Sequence, residues 1–477
     1  MGKYDFDLIV IGGGGGGITA VTMAAGLGKR TALVDKNKFG GECTWSGCIP
    51  SKSLLCSAKA AQMIHHAGQY GLTLEKPVSV GNERVMESVR AIVQEVYNKE
   101  SSDHFRKLGV TSFEDAEVAF IDETKISVNG KTLTAAKFMI ATGSGPVIPP
   151  IPGLDQVKYF TNETIFSMEK MPASMIILGG GPIGAELSTA FTRLGVKVTL
   201  VEMAPAILIH EDRELVDILA EKLIGEGVSI MTGTKAVSVE ASSHGITLFC
   251  DTQGVPSRIT AETLLVAVGR KAHTEGLNLE AAGVAHDAKG IRVDKYLRTT
   301  AKNIYAAGDV VGPYQFSHVA NYQAITATAN ALLPFRRKVN YHHVPWCTLT
   351  DPELARSGFT ESEAKEKYGQ GLKIYRVPYA GIDRAVTDRT KTGLAKMICN
   401  KKGTILGIHI LGERAGEVLH EFHTAKSLGI PLYKLDRVIH AYPAYNDIVK
   451  QAARSANIDR IQANPFVRFI KLLRTSK

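Results

Sequence analysis

Two cysteines five residues apart, Cys43 and Cys48, lie within GGECTWSGCIPSK at residues 40–52, and Lys52 closes the stretch. A close thiol pair can form and break a disulfide, moving two electrons, or supply half of a metal site. Zinc ordinarily takes four ligands, and no neighbouring cysteine or histidine cluster completes a set, so no metal site is expected. In a regular helix five residues turn through roughly 500°, which would splay the sulfurs apart. A bridge therefore needs an irregular helix start, and Gly47 and Pro50 suit one. A thiol at a helix N-terminus has a lowered pKa, and Lys52, four residues after Cys48 and on its side, adds positive charge. Cys56, Cys250, Cys347 and Cys399 stand singly and read as core or surface residues.

The elements that must position this pair begin at the first residues. Phe6 to Ile11 form a short apolar strand, followed by Gly12, Gly14 and Gly17 at GxGxxG spacing and a helix of small residues. Glycine permits the tight turn and the close backbone approach of a pyrophosphate, whose charge then faces a helix N-terminus. A second strand, Arg30 to Val34, ends at Asp35, placed to accept hydrogen bonds from a ribose. The pattern recurs: Ser174 to Leu178 leads into Gly179, Gly181 and Gly184, a helix, and the strand Val196 to Val201 ending at Glu202. From first glycine to acidic residue is 23 positions in both copies, 12 to 35 and 179 to 202. This repetition implies two dinucleotide sites. Glu202 can bind a free 2′-hydroxyl but repels a 2′-phosphate, and no arginine comes after it until Arg213, which favours NADH over NADPH.

Composition sets the limits around these motifs. A chain of 477 residues is too long for one hydrophobic core and implies about two to four domains. The 46 glycines and 44% apolar content suit a loop-rich α/β enzyme. The 56 basic residues are spread along the chain against 47 acidic ones, which reads as a solvated surface and not as a nucleic-acid footprint. MGKYDFDLIVIGGG runs directly into a strand and turn, leaving no room for a signal peptide, and no apolar run reaches the roughly 18 residues of a membrane span. A cytoplasmic protein is expected.

GG(E)CxxxxCxPSK directly downstream of a GxGxxG fold resembles the class I pyridine nucleotide-disulfide oxidoreductases: dihydrolipoamide dehydrogenase, glutathione reductase and mercuric reductase. The resemblance runs from about Tyr4 to Arg454, with ATGSGPVIPPIPG at 141–153, VAVGR at 266–270, NIYAAGDV at 303–310 and TDPELARSG at 350–358 in the family's order. It implies two Rossmann-like domains, the first for FAD and the second for the nicotinamide cofactor, plus a C-terminal α/β dimerisation domain. The implied boundaries are 1–150 and 272–340 for the FAD domain, 151–271 for the NAD(P) domain, 341–460 for the interface domain and 461–477 for a tail. Besides the glycines and acids already named, Lys36, Gly41, Thr142, Gly143, Gly269 and Asp309 are expected at the cofactors, with Asp309 on the flavin's ribityl chain. Glu186 is expected to pair with Lys52 beside the isoalloxazine. Hydride would pass from NADH to flavin and electrons on to Cys48, leaving through Cys43 as the interchange thiol.

The C-terminal region departs from that pattern. Disulfide-reducing members carry HAHPTxSE, whose histidine and glutamate enter the partner subunit's site and handle the interchange thiol's proton. This chain reads HAYPAYND at 440–447, with Tyr442 and Asp447 at those two positions. A tyrosine of ordinary pKa near 10 is a poor proton shuttle at neutral pH. His440 lies two residues early and reads as a packing or solvated histidine. Mercuric reductases are similar in having tyrosine here, and soft metal ions suit thiolates. They also resemble one another in a C-terminal vicinal cysteine pair, which NPFVRFIKLLRTSK lacks. The expectation is a homodimer with composite sites, passing electrons to a metal ion or small disulfide. The alternative is dihydrolipoamide dehydrogenase, free or within a 2-oxoacid dehydrogenase complex. Residues 464–477 alternate basic and apolar side chains, a pattern that suits peripheral contact with an anionic membrane.

Overall fold

A computed structural model describes residues 3–73, 81–243 and 245–469. The first body opens with β1 (Phe6–Ile11), α1 (Gly15–Gly26) and β2 (Thr31–Val34), followed by α2 (Gly41–Trp45), α3 (Cys48–His65) and β3 (Lys131–Ile140). The apolar run of β1 is central in its sheet because it is buried on both faces. It pairs in parallel with β2 on one side and β3 on the other, registering Leu8 against Thr31 and against Lys137.

The second body repeats the plan with β4 (Ser174–Leu178), α4 (Pro182–Arg193), β5 (Lys197–Val201), α5 (Arg213–Gly225), β6 (Ser229–Met231) and β7 (Thr263–Val266). Its parallel sheet runs β6-β5-β4-β7, so β4 is flanked as β1 is. Both second strands start one residue later than the sequence pattern suggests, at Thr31 and Lys197. The chain then returns to the first sheet, where β8 (Ile304–Ala306) pairs with β3 and α6 (Ser317–Leu332) packs against α1.

The third body is a five-stranded antiparallel sheet in the order β9-β10-β13-β12-β11, formed by β9 (Pro345–Thr348), β10 (Glu353–Gly358), β11 (Lys373–Pro378), β12 (Leu394–Cys399) and β13 (Ile405–Gly412). Helices α7 (Ala415–Ser427) and α8 (Asp447–Ala463) complete its core. Charged side chains fasten it to the second body. Buried Lys396 meets Asp212 at 2.8 Å and Glu214 at 2.9 Å, and Arg193 meets Asp351 at 2.6 Å. Among the described residues no helix is long and apolar enough to cross a membrane.

Candidate active site

The two glycine turns have the same construction. Gly12 has φ +103° and Gly179 φ +111°, and a Cβ at either would lie 2.3 Å from a carbonyl oxygen, that of Ala141 or Ala267. Gly17 and Gly184 seat their helices against the turns, where a Cβ would fall 1.7 and 1.9 Å from the Gly12 and Gly179 carbonyl oxygens. Gly14 and Gly181 instead face open room: a Cβ at Gly14 would meet only Gly41 Cα at 3.7 Å, and one at Gly181 nothing within 4 Å. Open room of this kind at a helix N-terminus can admit a pyrophosphate. The Gly13 N–H donates to Asp35 Oδ2 at 2.5 Å and the Gly180 N–H to Glu202 Oε2 at 2.6 Å, so each acid is fixed at the tip of its strand by its own turn. Burial raises the Asp35 pKa.

Both turns open on one cavity of about 2730 Å³, well beyond a single small-molecule site of roughly 300–1,000 Å³. Lys36, Gly41, Thr142, Gly143, Gly269 and Asp309 all line it, as do both cysteines. Gly17 and Gly184 do not line it and act through packing. Asp309 accepts a hydrogen bond from Ser144 Oγ at 2.8 Å, and burial raises its pKa.

The cysteine pair sits at a break between helices. After α2 the chain turns through Ser46 and Gly47, and Cys48 is the first residue of α3. This is the irregular start that the spacing requires. The Cys43 thiol hydrogen-bonds to Cys48, and that bond, ahead of the Lys52 charge and a contact from Ser317, brings the Cys48 thiol down to about 6 against the opposing effect of burial. The same bond, with burial, pushes the Cys43 thiol up. Both effects act in one direction, favouring the proton on Cys43 and the negative charge on Cys48. Ser317 Oγ stands 3.7 Å from Cys48 Sγ.

Lys52, one turn into α3, reaches α4 and meets Glu186 Oε2 at 2.8 Å, as expected. The other carboxylate oxygen accepts from the Leu349 N–H at 2.8 Å, which ties the first, second and third bodies together at one point. Burial works against the ammonium charge, but Glu186 prevails and raises the Lys52 pKa.

Several groups here were not marked by sequence. Ser317 opens α6. Glu42 forms a two-pronged pair with Arg270, which also donates to Ser144 Oγ at 2.8 Å, so the residue before Cys43 is anchored to the group holding Asp309. The VAVGR motif names Arg270, yet nothing in the sequence pairs it with Glu42. Cys347, read as a core or surface residue, lines the cavity, and burial followed by the charges of Glu353 and Glu186 pushes its thiol well above the ordinary range.

Tyr442 and Asp447 do not line the cavity of their own chain. Tyr442 is 71% exposed and donates its hydroxyl to Asp383 at 2.7 Å, which raises the phenol pKa. Asp447 begins α8. His440 is half-buried with its side chain turned inward, Nε2 lying 2.8 Å from Glu421 Oε1, while Asn446 donates to the other oxygen at 2.6 Å; it is a packing histidine that braces this segment.

Two parallel-sheet dinucleotide folds, a helix-start dithiol and a separate antiparallel domain together define a flavoprotein reductase of the disulfide-exchanging class. The sequence matches the pyridine nucleotide-disulphide oxidoreductase model over residues 6–324 and that family's dimerisation domain over 344–453. The chain belongs to this family of FAD-dependent enzymes that use NAD(P)H, and the dimerisation domain points to a homodimer. It is 33% identical to a mercuric reductase of Bacillus cereus over 96% of this chain and 72% of that protein. It is 32% identical to a dihydrolipoyl dehydrogenase of Bacillus subtilis (strain 168) over 95% and 98%. Among solved structures, the Cu(II) complex of the HOCl-induced flavoprotein disulfide reductase RclA from Escherichia coli superposes with a TM-score of 0.85 at 27% identity, covering 95% of this chain and all of that one.

Proposed function

We propose that the protein is an NADH-dependent reductase that delivers electrons through Cys43 and Cys48 to a soft metal ion or a small disulfide. FAD, when bound, supplies the relay between a hydride donor and a disulfide. Gly12, Gly14, Asp35 and Asp309 would hold it, and Gly179, Gly181 and Glu202 the nicotinamide nucleotide. Lys52 and Glu186 form a fixed charge pair beside the dithiol. Glu202 supports NADH, because a carboxylate at the strand tip repels a 2′-phosphate.

The observation that carries the choice of acceptor is Tyr442. Its hydroxyl donates to Asp383 and keeps its proton, so the position that delivers an imidazole in disulfide-reducing relatives delivers a phenol with a raised pKa. A metal ion needs no such shuttle: it takes the place of thiol protons on sulfur. The dithiol, which lines the cavity, offers two sulfur ligands to such an ion. RclA, described as a Cu(II) complex, supports this direction. Dihydrolipoamide dehydrogenase, free or in a 2-oxoacid dehydrogenase complex, is the second reading, favoured by the 98% coverage of the Bacillus subtilis enzyme.

On this reading the FAD domain comprises residues 1–150 and 272–340, the NAD(P) domain 151–271, the interface domain 341–460 and the tail 461–477. The location is cytoplasmic, and the protein forms a dimer in which Tyr442 and Asp447 enter the partner's site. Peripheral membrane contact through residues 464–477 is part of the same reading, supported by exposed Phe466 and Phe469 beside Arg468; residues 470–477 lie outside the described residues. Anaerobic reduction with NADH, then addition of mercuric ion, cupric ion, lipoamide or oxidised glutathione, tests the acceptor. Reoxidation by the metal ions faster than by the disulfides is expected, and reoxidation by lipoamide alone would replace this reading with the second. Sedimentation with anionic vesicles, with and without residues 464–477, tests the tail.

A further inference from the structure

A cation-rich face stands apart from the cavity, built by three stretches of chain. Lys137 comes from β3, Lys295, Tyr296 and Arg298 from the turn before β8, and Phe335 to Lys338 from the segment after α6; none of them lines the cavity. Buried Asn330 of α6 ties two stretches together. Its amide donates to the carbonyls of Tyr296 and Arg337, both at 2.9 Å, and its oxygen accepts from the Arg337 N–H at 2.7 Å. The Val339 N–H adds a bond to the Lys295 carbonyl at 3.0 Å. The cations are thus displayed by a turn whose backbone is satisfied.

Charge on this face is not neutralised. Among the described residues Arg298 has one carboxylate in reach, Asp294 at 3.4 Å, and Lys137, Lys295, Arg336, Arg337 and Lys338 form no ion pair. Lys137 is partly buried, and burial followed by the charges of Arg298 and Arg336 lowers its pKa. Buried Lys396, by contrast, is surrounded by Asp212, Glu214 and Glu361. Clustered like charges destabilise the free protein, and an apposed anionic surface reverses the sign of that contribution. Within the cluster Phe335 is 51% exposed, with the Arg337 guanidinium 5.7 Å from its ring centroid.

We propose that this face docks on an anionic lipid bilayer, with Phe335 entering the headgroup region and the surrounding lysines and arginines meeting lipid phosphates. A bilayer surface offers anionic charge outside and an apolar zone just beneath it, matching cations that ring an exposed aromatic side chain. The inference is independent of the electron acceptor and of residues 464–477.

The test is sedimentation of the full-length holoprotein with vesicles of phosphatidylcholine alone and with about one third phosphatidylglycerol. Salt-sensitive binding to the anionic vesicles only is expected. The double substitution Arg336→Glu and Arg337→Glu should weaken it at least about tenfold with the tail intact, and Phe335→Ala about fivefold with charge unchanged. NADH turnover should be unaltered in both variants, which reports that they fold. The proposal is overturned by absence of binding, by equal binding to both vesicle types, by variants that bind as the unaltered chain does, or by preferential binding to duplex DNA added as competitor.

Discussion

The glycine turns at Gly12 and Gly179 are nearly superposable in their chemistry, yet only one carries a dithiol. Each bars a side chain at its first glycine by a carbonyl oxygen 2.3 Å from the would-be Cβ, and each fixes its acid with its own N–H. They differ in the chain beyond the acid. After Asp35 it enters the broken helix pair that holds Cys43 and Cys48. After Glu202 it runs to α5 and the Asp212–Lys396 bond that fastens it to the third body. The cradle is thus a generic device, and redox chemistry is added to one copy by the insert behind it. The second copy contributes through its helix, from which Glu186 reaches back to Lys52.

Removing the insert's sulfur should have the largest effect. Cys48→Ser is expected to lower turnover at least about a thousandfold and to abolish the long-wavelength thiolate absorbance of the two-electron-reduced protein. Cys43→Ser should lose turnover equally but keep the absorbance, because Lys52 and Ser317 still favour the charge on Cys48. A Cys43→Ser protein without that band would reverse the two roles.

The next effect separates the copies. Gly12→Ala and Gly179→Ala each place a Cβ against a carbonyl at positive φ, so the local strain is alike. Gly12→Ala is expected to yield protein purified with little FAD. Gly179→Ala should retain FAD, with KM for NADH raised at least about tenfold. Flavin content and steady-state kinetics check both, and flavin loss in Gly179→Ala would contradict the assignment of cofactors to turns.

Sequence made the cradles and the cysteine insert legible because each is a local device. The glycine spacing, the strand-end acid and the break at Gly47 are written within a few tens of residues of one another. The Lys52–Glu186 pair, 134 residues apart, was accessible only because family resemblance supplied it. Glu42 with Arg270 and Cys48 with Ser317, 228 and 269 residues apart, had no such guide. A lone serine at a helix start reads first as a cap or a surface residue, and only the docking of α6 on the insert gives it a sulfur to face. The surroundings of Cys347 were hidden for the same reason: its neighbours Glu186 and Glu353 come from different bodies.

Ser317 therefore carries the smallest and most discriminating prediction. The Cys48 thiolate is held first by the hydrogen bond from Cys43, then by Lys52, then by Ser317, whose hydroxyl stands 3.7 Å away. A depressed thiol pKa means that the thiolate persists above about pH 6 and is lost as pH falls through that value. Ser317→Ala withdraws one hydrogen bond from the charged form, so the loss should begin at higher pH, with the absorbance midpoint raised by about half to one pH unit. Ser317→Thr, which keeps the hydroxyl, should restore it. A midpoint that moves equally in both variants would trace the effect to packing at the start of α6. An unmoved midpoint would leave Cys43 and Lys52 as sufficient support for the thiolate, and the insert would then tune its own sulfur without help from the returning helix.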